Sequence, residues 1–337
     1  MTTLAFLGDI MLGRGVNEQI AIRRPEEFWG TALPVLRNAD AVFANLECVL
    51  TPHRVPWTRT RKVFHFGAHP AAVNVLAAAR IRYVSLANNH ILDFEEEGLA
   101  DTLRLLDEAG IRHAGAGPTL PAAMRPAAVE VAGLRVDVLA LTDNEPSFAA
   151  AAERPGVWYL PVGESSATLD PLGAAVGRLR ADGADLVVLS LHWGPNMVDT
   201  PPPEFRRFAQ AMAGLGVDLL HGHSAHVFQG VEQIGRSLIL YDTGDFLDDY
   251  AIDPMLRNDW SFIFLVDVEG GELTRLRMVP VRLSYARTDL ATGDEFERIC
   301  RRMQERCAPL GTDLHRTDEG LELIAASGVA PGAGRTG

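Results

Sequence analysis

Five short apolar runs in this sequence each lead directly into a polar segment. Uninterrupted runs of Leu, Val, Ala and Phe are typical of strands that are buried on both faces. Helical patterns separate the runs, and this alternation up to about residue 245 predicts an α/β fold. The five runs are residues 4–7, 41–43, 83–86, 186–191 and 217–220.

Helix signals lie between these predicted strands. Leu99, Leu103 and Leu106 recur at helical spacing behind Asp93, which is predicted to be the N-cap of that helix. The prolines at 201–203 introduce a helix that extends to Leu215, because proline suits a first turn. Further helices are predicted over residues 70–80, 169–180 and 294–307.

After residue 235 the pattern changes to strands with turn signals between them. Residues 237–241, 262–268 and 272–281 are strand-like, and Gly270-Gly271 marks a turn. We expect these segments to be antiparallel strands that complete a second sheet.

The polar segments behind the five runs hold nearly all the metal-capable side chains of the chain. Carboxyl ends of parallel strands meet at one edge of a sheet, so ligands that are distant in sequence can converge there. Carboxylate, amide oxygen and imidazole together suit Mn²⁺, Fe²⁺ or Zn²⁺, and such an ion can lower the pKa of a bound water to about 7. The predicted ligands are Asp9, Glu47, Asn89, His192, His223 and His226.

The alternative is that these residues only cap strands and hydrogen-bond within loops. Asp9, Asn89 and His192 taken together favour a metal, whereas for His223 and His226 as individual ligands both interpretations stay open. His221 is predicted to be a strand residue or a support for the ligands.

His90 is a candidate general acid, because it follows a predicted ligand and imidazole has an unperturbed pKa of about 6.5. The alternative is a packing or capping histidine at a strand-to-helix turn. For Asp93 the N-cap role is sufficient, and no catalytic role is needed.

Four cations are candidates for binding an anionic group. Arg14, Arg59, Arg61 and Lys62 lie close in sequence to two of the polar segments, within a chain of net charge −13. Arginine pairs with carboxylate or phosphate through two hydrogen bonds, and lysine acts as a point charge. A solvated loop that balances local acidic residues explains the same pattern equally well.

Charge and composition exclude some classes of protein. A net charge of −13 argues against non-specific nucleic-acid binding, which usually requires a basic face. Three cysteines without a pairing motif favour free thiols and a reducing compartment. No stretch approaches the apolar length of a membrane span, so we expect a soluble, cytoplasmic protein with no transmembrane segment.

Several of these segments together resemble the CapA family of poly-γ-glutamate (capsule) biosynthesis proteins, whose domain is related to the calcineurin-like metallophosphoesterases. The resemblance lies in FLGDIMLGR at 6–14, NLECVLT at 45–51, SLANNHILDF at 85–94, GLADTLRLLDEAGIRHAGAG at 98–117, LHWG at 191–194, GHSAHVFQGVE at 222–232 and LILYDTGDF at 238–246.

The resemblance implies a four-layer α/β/β/α sandwich of the metallophosphoesterase type, with two mixed sheets flanked by helices. It also implies a site that holds one or two divalent ions. We expect the CapA-like domain to span residues 1–290, with a C-terminal helical extension over 291–327 and a disordered tail over 328–337.

The chain departs from the pattern of these families at several positions. Met11 stands where metallophosphoesterases carry a histidine, so one metal loses a ligand. Glu47 stands for the usual aspartate, and His223 with His226 replaces the His-Pro-His of CapA relatives. Asp245 stands where an asparagine is frequent and adds a possible carboxylate ligand.

Three functions are consistent with the sequence. The first is a metal-dependent hydrolase that uses a metal-bound water on a phosphoester or γ-glutamyl-type amide of a small anionic or polyanionic substrate. The second is a non-catalytic accessory protein in polymer synthesis or export, which the loss of the histidine at position 11 favours. The third is an amide- or peptide-processing enzyme of a small-molecule pathway.

Overall fold

Strands and helices alternate through most of residues 1–324, which are the residues that the computed structural model describes. The strands are β1 Thr2–Ile10, β2 Ala41–Leu46, β3 Val49–Leu50, β4 Gly67–Ala68, β5 Ile81–Ser85, β6 Arg112–Ala114, β7 Ala116–Gly117, β8 Ala127–Val131, β9 Leu134–Thr142, β10 Gly156–Val157, β11 Leu186–His192, β12 Leu219–His223, β13 Val231–Ile234, β14 Ser237–Leu240, β15 Asp245–Leu247, β16 Trp260–Glu269, β17 Glu272–Ser284, β18 Arg287–Leu290, β19 His315–Thr317 and β20 Gly320–Ile324.

The longer helices correspond to predicted ones, whereas the short helices Arg14–Ile20, Leu33–Asn38 and Leu120–Ala123 were not predicted. Short 3₁₀ segments at Pro25–Ala32, Pro70–Ala72, Pro146–Phe148 and Ala308–Leu310 accompany them. None of the helices within residues 1–324 is long and apolar enough to cross a membrane. The α-helices are α1 Arg14–Ile20, α2 Leu33–Asn38, α3 Val73–Ala78, α4 Glu95–Glu108, α5 Leu120–Ala123, α6 Ser166–Ala181, α7 Pro203–Leu215 and α8 Gly293–Cys307.

The larger sheet has ten strands in mixed orientation. Its main path runs β19-β20-β17-β16-β1-β2-β5-β6, with β15 paired to β1 and β18 paired to β17. Strands β15, β2, β5 and β6 lie parallel to β1 or to its parallel neighbours, whereas β16 is antiparallel to β1. The carboxyl ends of β1, β2, β5 and β15 therefore lie at one edge.

The smaller sheet has six strands in the order β13-β14-β12-β11-β9-β8. Its four central strands are parallel, and the edge strands β8 and β13 pair antiparallel to them. This parallel centre brings the carboxyl ends of β9, β11 and β12 together at one edge.

Each sheet is covered on both faces, which explains the uninterrupted apolar runs in the sequence. On the inner face of the larger sheet, Phe6 stacks on Phe43 with ring centroids 5.0 Å apart, within the core shared by the two sheets. The outer face, with Leu7 and Val42, packs against the helical segments between residues 14 and 106. The outer face of the smaller sheet packs against α6 and α7. The molecule is thus a four-layer α/β/β/α sandwich, and the predicted fold class is confirmed.

The strands after residue 235 do not complete a single sheet, so that part of the prediction was wrong. β14 joins the smaller sheet between β13 and β12, whereas β16 and β17 join the larger sheet beside β1. Alternation within a strand shows which faces are buried, but it carries no information on which neighbour the strand pairs with.

The segment after residue 290 is only partly helical. α8 covers Gly293–Cys307 as predicted, but β19 and β20 follow it and extend the edge of the larger sheet through pairing with β17. Residues 315–324 thus belong to the sandwich and are not a helical appendage. The domain boundary at residue 290 stays a prediction, and the predicted tail at 328–337 lies outside the described residues.

Gly8 allows the larger sheet to fold tightly at the edge where its strands end. A Cβ atom built on Gly8 would lie 1.7 Å from the backbone oxygen of Gly244, just before β15. The amide of Asp9 donates to that same oxygen at 2.9 Å. Only glycine permits this approach, which places Asp245 beside Asp9.

Candidate metal centre

The predicted ligands converge because the strands that carry them end at the same place. In the larger sheet Asp9 is in register with Asn45 of β2 on one side and with Asp245 of β15 on the other. In the smaller sheet His192 at the end of β11 is in register with His223 at the end of β12. The two sheets face each other, so these ends form one buried polar cluster.

A first group of ligand atoms joins both sheets. Asp9, His192 and His223 each offer one atom, and these atoms lie within 4.8 Å of one another. The Nδ1 atoms of His192 and His223 are 3.0 Å apart, and His223 Nδ1 is 3.8 Å from Asp9 Oδ1. Two imidazoles and a carboxylate are a typical donor set for a transition metal.

A second group shares Asp9 with the first. Asp9, Glu47, His226 and Asp245 satisfy the same 4.8 Å limit. His226 Nδ1 lies 2.8 Å from Asp245 Oδ1 and 3.9 Å from Asp9 Oδ2. His226 has a φ of 60°, a costly conformation for a residue with a side chain, and the loop after β12 holds it there. Both histidines left open by the sequence thus lie with carboxylates.

Asn45 orients the shared carboxylate, a role that the sequence did not reveal. Its Nδ2 donates to Asp9 Oδ1 at 2.7 Å, and its Oδ1 accepts from Asn88 Nδ2 at 3.1 Å. Asn88 in turn accepts from the His90 amide at 3.0 Å. These amides hold Asp9 in one orientation and connect it to the loop that carries Asn89 and His90.

Burial dominates the electrostatics of the cluster. It raises the pKa of the Asp9, Glu47 and Asp245 carboxyls well above the usual range, and neighbouring carboxylates raise it further. Burial also lowers the pKa of His192 and His223, which keeps both imidazoles neutral. Neutral imidazole is the form that binds a metal.

The residues fit a divalent cation. Asp9 Oδ2 and Asp245 Oδ2 are both buried, and neither has a hydrogen-bond partner among residues 1–324. A buried carboxylate oxygen without a partner is costly, and a coordinated cation removes that cost. Oxygen and imidazole nitrogen in these proportions match Mn²⁺, Fe²⁺ or Zn²⁺.

Asn89 and His90 lie at the side of the cluster that the β5 loop provides. Asn89 Oδ1 is 3.1 Å from His192 Nε2, the ring nitrogen opposite the Nδ1 that faces His223, so the amide oxygen borders the first group across the His192 ring. His90 Nε2 is 3.9 Å from Glu47 Oε1, and its ring stacks on Phe66 with centroids 4.0 Å apart. Burial lowers the pKa of His90, while the charge of Asp93 opposes that shift.

Asp93 is not the N-cap of α4, so that prediction was wrong. The N-cap is Phe94, without a side-chain capping hydrogen bond. The Asp93 carboxylate instead accepts from the Phe66 amide at 2.6 Å and contacts His90 Nδ1 at 2.6 Å, and it pairs with Lys62 Nζ at 3.3 Å. A local capping signal was outweighed by contacts to the site, where Asp93 fixes the ring of His90.

Met11 lies in the hydrophobic core, as its side chain requires. It is fully buried, and its Sδ accepts a hydrogen bond from the Gly13 amide at 3.1 Å. The ligand expected from a histidine at this position is therefore absent, but Asp245 and His226 contribute atoms to the group nearest Asp9.

The four predicted anion-binding cations occupy different environments. Lys62 is almost buried, with Nζ against Asn89 O and Asp93 Oδ1, and 5.0 Å from the centroid of the Phe148 ring. Arg14 is at the mouth of the site, with its guanidinium 5.9 Å from the centroid of the Tyr250 ring, and its side chain is 41% exposed. Both are adjacent to the cluster.

The other two cations lie farther out on the same loop. Arg59 pairs with Glu95 and Glu96 of α4 and stacks over Trp57, so its charge is already compensated. Arg61 is exposed, and its side chain forms no hydrogen bond, ion pair or ring contact in the described part of the chain. The three arginines are thus all accessible to a ligand, but Arg59 is paired with two glutamates, Arg14 with Asp249 only, and Arg61 with no described residue.

Two further residues complete the site. The hydroxyl of Tyr250 donates to Glu47 Oε2 at 3.4 Å, and no sequence signal marked it. His221 is a buried strand residue whose Nε2 contacts the Leu7 carbonyl at 2.9 Å. It supports β1 from the facing sheet.

The family model of the bacterial capsule synthesis protein PGA_cap matches residues 3–250. The chain belongs to this family. The resemblance to CapA that the sequence predicted is therefore confirmed.

Relatives within the family match at moderate identity. A Mycobacterium tuberculosis (strain H37Rv) protein, described as a probable polyglutamine synthesis accessory protein, is 32% identical over 98% of this chain and 97% of its own length. The capsule biosynthesis protein CapA of Bacillus anthracis is 30% identical over 73% of this chain and 60% of its own length. The PGA biosynthesis protein CapA of Bacillus subtilis is 29% identical over 73% and 63%.

The fold is also found among solved structures. A hypothetical protein from Thermus thermophilus superposes with a TM-score of 0.51 at 15% identity, covering 84% of this chain and 100% of that protein. This similarity concerns the fold alone.

The shifted carboxyl pKa values predict that metal binding weakens as the pH falls. The raised pKa of Asp9, Glu47 and Asp245 means that the metal-free site still holds protons where ordinary carboxylic acids are ionised. A metal must displace those protons, so affinity should rise from about pH 5 to about pH 8. Titration calorimetry with Mn²⁺ or Zn²⁺ in two buffers of different ionisation enthalpy measures the protons released. The variant Asp245→Asn should release fewer, and a pH-independent affinity would contradict this account.

Proposed function

We propose that this chain is a metal-dependent hydrolase that acts on an anionic substrate, either a phosphoester or a γ-glutamyl-type amide. The observation that carries the proposal is the pair of ligand groups that share Asp9 at the carboxyl ends of strands from two sheets. Asp9, His192, His223 and Asn89 would hold one ion, and Asp9, Glu47, His226 and Asp245 a second. A bound divalent ion would activate water and polarise the oxygen under attack.

His90 is assigned the role of general acid. Its Nδ1 faces Asp93 Oδ2 at 2.6 Å, so that nitrogen carries the proton donated to the carboxylate. Its Nε2 is left facing the ligand groups, 3.9 Å from Glu47 Oε1. When protonated, Nε2 can give its proton to a leaving group bound beside Glu47. Asp93 and the stacked Phe66 ring hold the imidazole in that orientation.

Arg14 and Arg61 are assigned to the anionic part of the substrate. Arg61 is unpaired among the described residues and Arg14 is paired with a single acid, Asp249, whereas Arg59 is paired with two glutamates and Lys62 is buried against Asn89 and Asp93. Arg59 and Lys62 then hold the loop between residues 51 and 66 in place. No Asp or Glu occurs between Glu47 and Asp93. Although Arg59 and Lys62 are paired with acids of the following segment, the exposed Arg54 and Arg61 leave this loop a cationic surface on an acidic protein. Among the names of the relatives, PGA biosynthesis supports a polyanionic substrate, because a poly-γ-glutamate chain carries a carboxylate on each residue.

A second function has its own support. A relative that matches along nearly the full chain is described as an accessory protein, and Met11 removes one histidine from the site. A non-catalytic role in polymer synthesis or export would use the same cationic surface to bind a polyanion without cleaving it.

Loss of the metal should abolish hydrolysis. Protein loaded with Mn²⁺ or Zn²⁺ should hydrolyse p-nitrophenyl phosphate or γ-glutamyl-p-nitroanilide, since the site supplies ligands and a proton donor. His192→Ala should lower both the metal content, measured by plasma mass spectrometry, and the rate. His113→Ala, at an exposed ion pair with Asp107, is the control and should change neither. Wild-type protein that holds metal but cleaves no phosphoester or amide would support the accessory role.

Replacement of His90 should affect chemistry and leave the metal in place. For a poor leaving group, kcat of His90→Ala should fall by about 10²–10⁴-fold, the usual contribution of general acid catalysis. The loss should shrink for p-nitrophenolate, which departs without a proton. Equal losses with both leaving groups would give His90 a structural role, and loss of the metal would place it among the ligands.

The accessible and the buried cations should respond differently to removal. Arg14→Ala and Arg61→Ala should raise KM for p-nitrophenyl phosphate with little change in the melting temperature. Lys62→Ala should lower the melting temperature, because breaking a buried ion pair costs about 3 kcal/mol or more. Arg125→Ala, at an exposed arginine outside the site, is the control. An unchanged KM for both arginine variants would show that the loop is only structural.

A further inference from the structure

Tyr250 and His90 contact opposite oxygens of the same carboxylate. The Tyr250 hydroxyl lies 3.4 Å from Glu47 Oε2, and His90 Nε2 lies 3.9 Å from Glu47 Oε1. Glu47 belongs to the second ligand group, so two hydrogen-bearing side chains flank that group. His90 has the assigned role of general acid, whereas the Tyr250 hydroxyl has no assigned role.

The contact between Tyr250 and Glu47 is long, which leaves the hydroxyl available. A distance of 3.4 Å exceeds the usual range for an O–H donor, about 2.5–3.0 Å, so this hydrogen bond is weak. The ring is only partly buried, whereas Glu47 is 1% exposed. The tyrosine thus extends from a partly exposed position to the buried ligands.

The ring is held by the walls of the mouth. It meets the His226 ring edge-on at a centroid distance of 5.3 Å and lies 5.9 Å from the Phe66 ring. Phe66 is the ring on which His90 stacks. Tyr250 and His90 are therefore placed on the same aromatic support, on opposite sides of Glu47.

The backbone at Tyr250 is fixed by its two preceding aspartates. Asp248 Oδ1 accepts from the Tyr250 amide at 2.8 Å. Asp249 Oδ2 accepts from the Gly15 amide at 2.9 Å, and Asp249 Oδ1 lies 3.5 Å from Arg14 Nε. Asp249 thus ties the segment that carries Tyr250 to the segment that carries Arg14, and both side chains are oriented before a ligand arrives.

We propose that Tyr250 is a catalytic residue whose hydroxyl donates a hydrogen bond to a substrate oxygen that gains negative charge during hydrolysis. This inference rests on the proposed function and adds to it. His90 serves the leaving group, and Tyr250 serves an oxygen that stays with the group under attack. No proton is transferred from the phenol, so the hydroxyl is unchanged at the end of the reaction. A preoriented donor of this kind is effective because it needs no reorganisation when charge develops.

Tyr250→Phe tests the proposal, because it keeps the ring and removes only the hydroxyl. Inorganic phosphate is the binding probe, titrated calorimetrically into the metal-loaded protein, and p-nitrophenyl phosphate and γ-glutamyl-p-nitroanilide are the hydrolysis probes. The affinity for phosphate should fall by about tenfold, as expected for a lost hydrogen bond to an anion. kcat should fall by about 10²-fold, as for removal of one oxyanion donor. Metal content and melting temperature should match the wild type.

Tyr285→Phe is the matched control. Tyr285 is 53% exposed, and its hydroxyl is next to Gly15, beside the same helix start that Asp249 contacts. This variant should behave as the wild type in all readouts. An equal effect in both variants would attribute the loss to the surface around Arg14 and overturn the proposal.

The remaining outcomes separate this inference from the proposed function. A Tyr250→Phe variant that loses metal would show that the hydroxyl acts only through Glu47, and an unchanged phosphate affinity would show that it contacts no oxyanion. Either result overturns the proposal, as does wild-type protein that binds no phosphate. If the wild type binds phosphate through Tyr250 but cleaves neither probe, the hydrolase function fails while the hydroxyl's contact with the oxyanion stands.

Discussion

Three carboxylates buried within a few ångströms of one another are the constraint around which this protein is built. Asp9, Glu47 and Asp245 are each at most 1% exposed, and their charges repel. Burying a charge without compensation costs several kcal/mol, so an arrangement of this kind persists only with protons or a cation bound. Burial lowers the pKa of His192 and His223 beside them, so these imidazoles stay neutral, which is the form that binds a metal. The cluster therefore offers carboxylate and neutral imidazole ligands to a cation, which would displace the protons that the raised carboxyl pKa values retain.

The two sheets contribute different chemistry to this cluster. The larger sheet supplies carboxylates through Asp9, Asp245 and Glu47, which directly follows β2. The smaller sheet supplies imidazoles through His192 and His223. Neither sheet carries a complete ligand set alone. The packed core between the sheets, in which Phe6 and Phe43 stack, thus sets the distances between oxygen and nitrogen ligands. A change in that core would alter the site without touching any ligand.

Much of the fold and part of the site could be predicted from the sequence. Asp9 and His192 were candidates because each follows an apolar run that favours a buried strand, whereas His223 and His226 stayed open from the sequence alone. Asn45 and Tyr250 were not, since one lies within a strand and the other follows a three-residue strand that has no periodicity to detect. Asp93 carries a genuine capping signal, but its carboxylate is occupied by Phe66, His90 and Lys62. Strand partners after residue 235 depend on contacts across the whole chain, which no local pattern contains.

The pairing of β1 with β16 has a consequence for folding during synthesis. Thr2 is in register with Val268, so the first strand finds this neighbour only after some 268 residues have been synthesised. At about 5–20 residues per second, the N-terminal strand waits roughly 10–50 s before its sheet can close. Asp9 and Asp245 are brought together in the same late event. The group of carboxylates around Asp9 therefore cannot assemble before Asp245, far along the chain, has been synthesised.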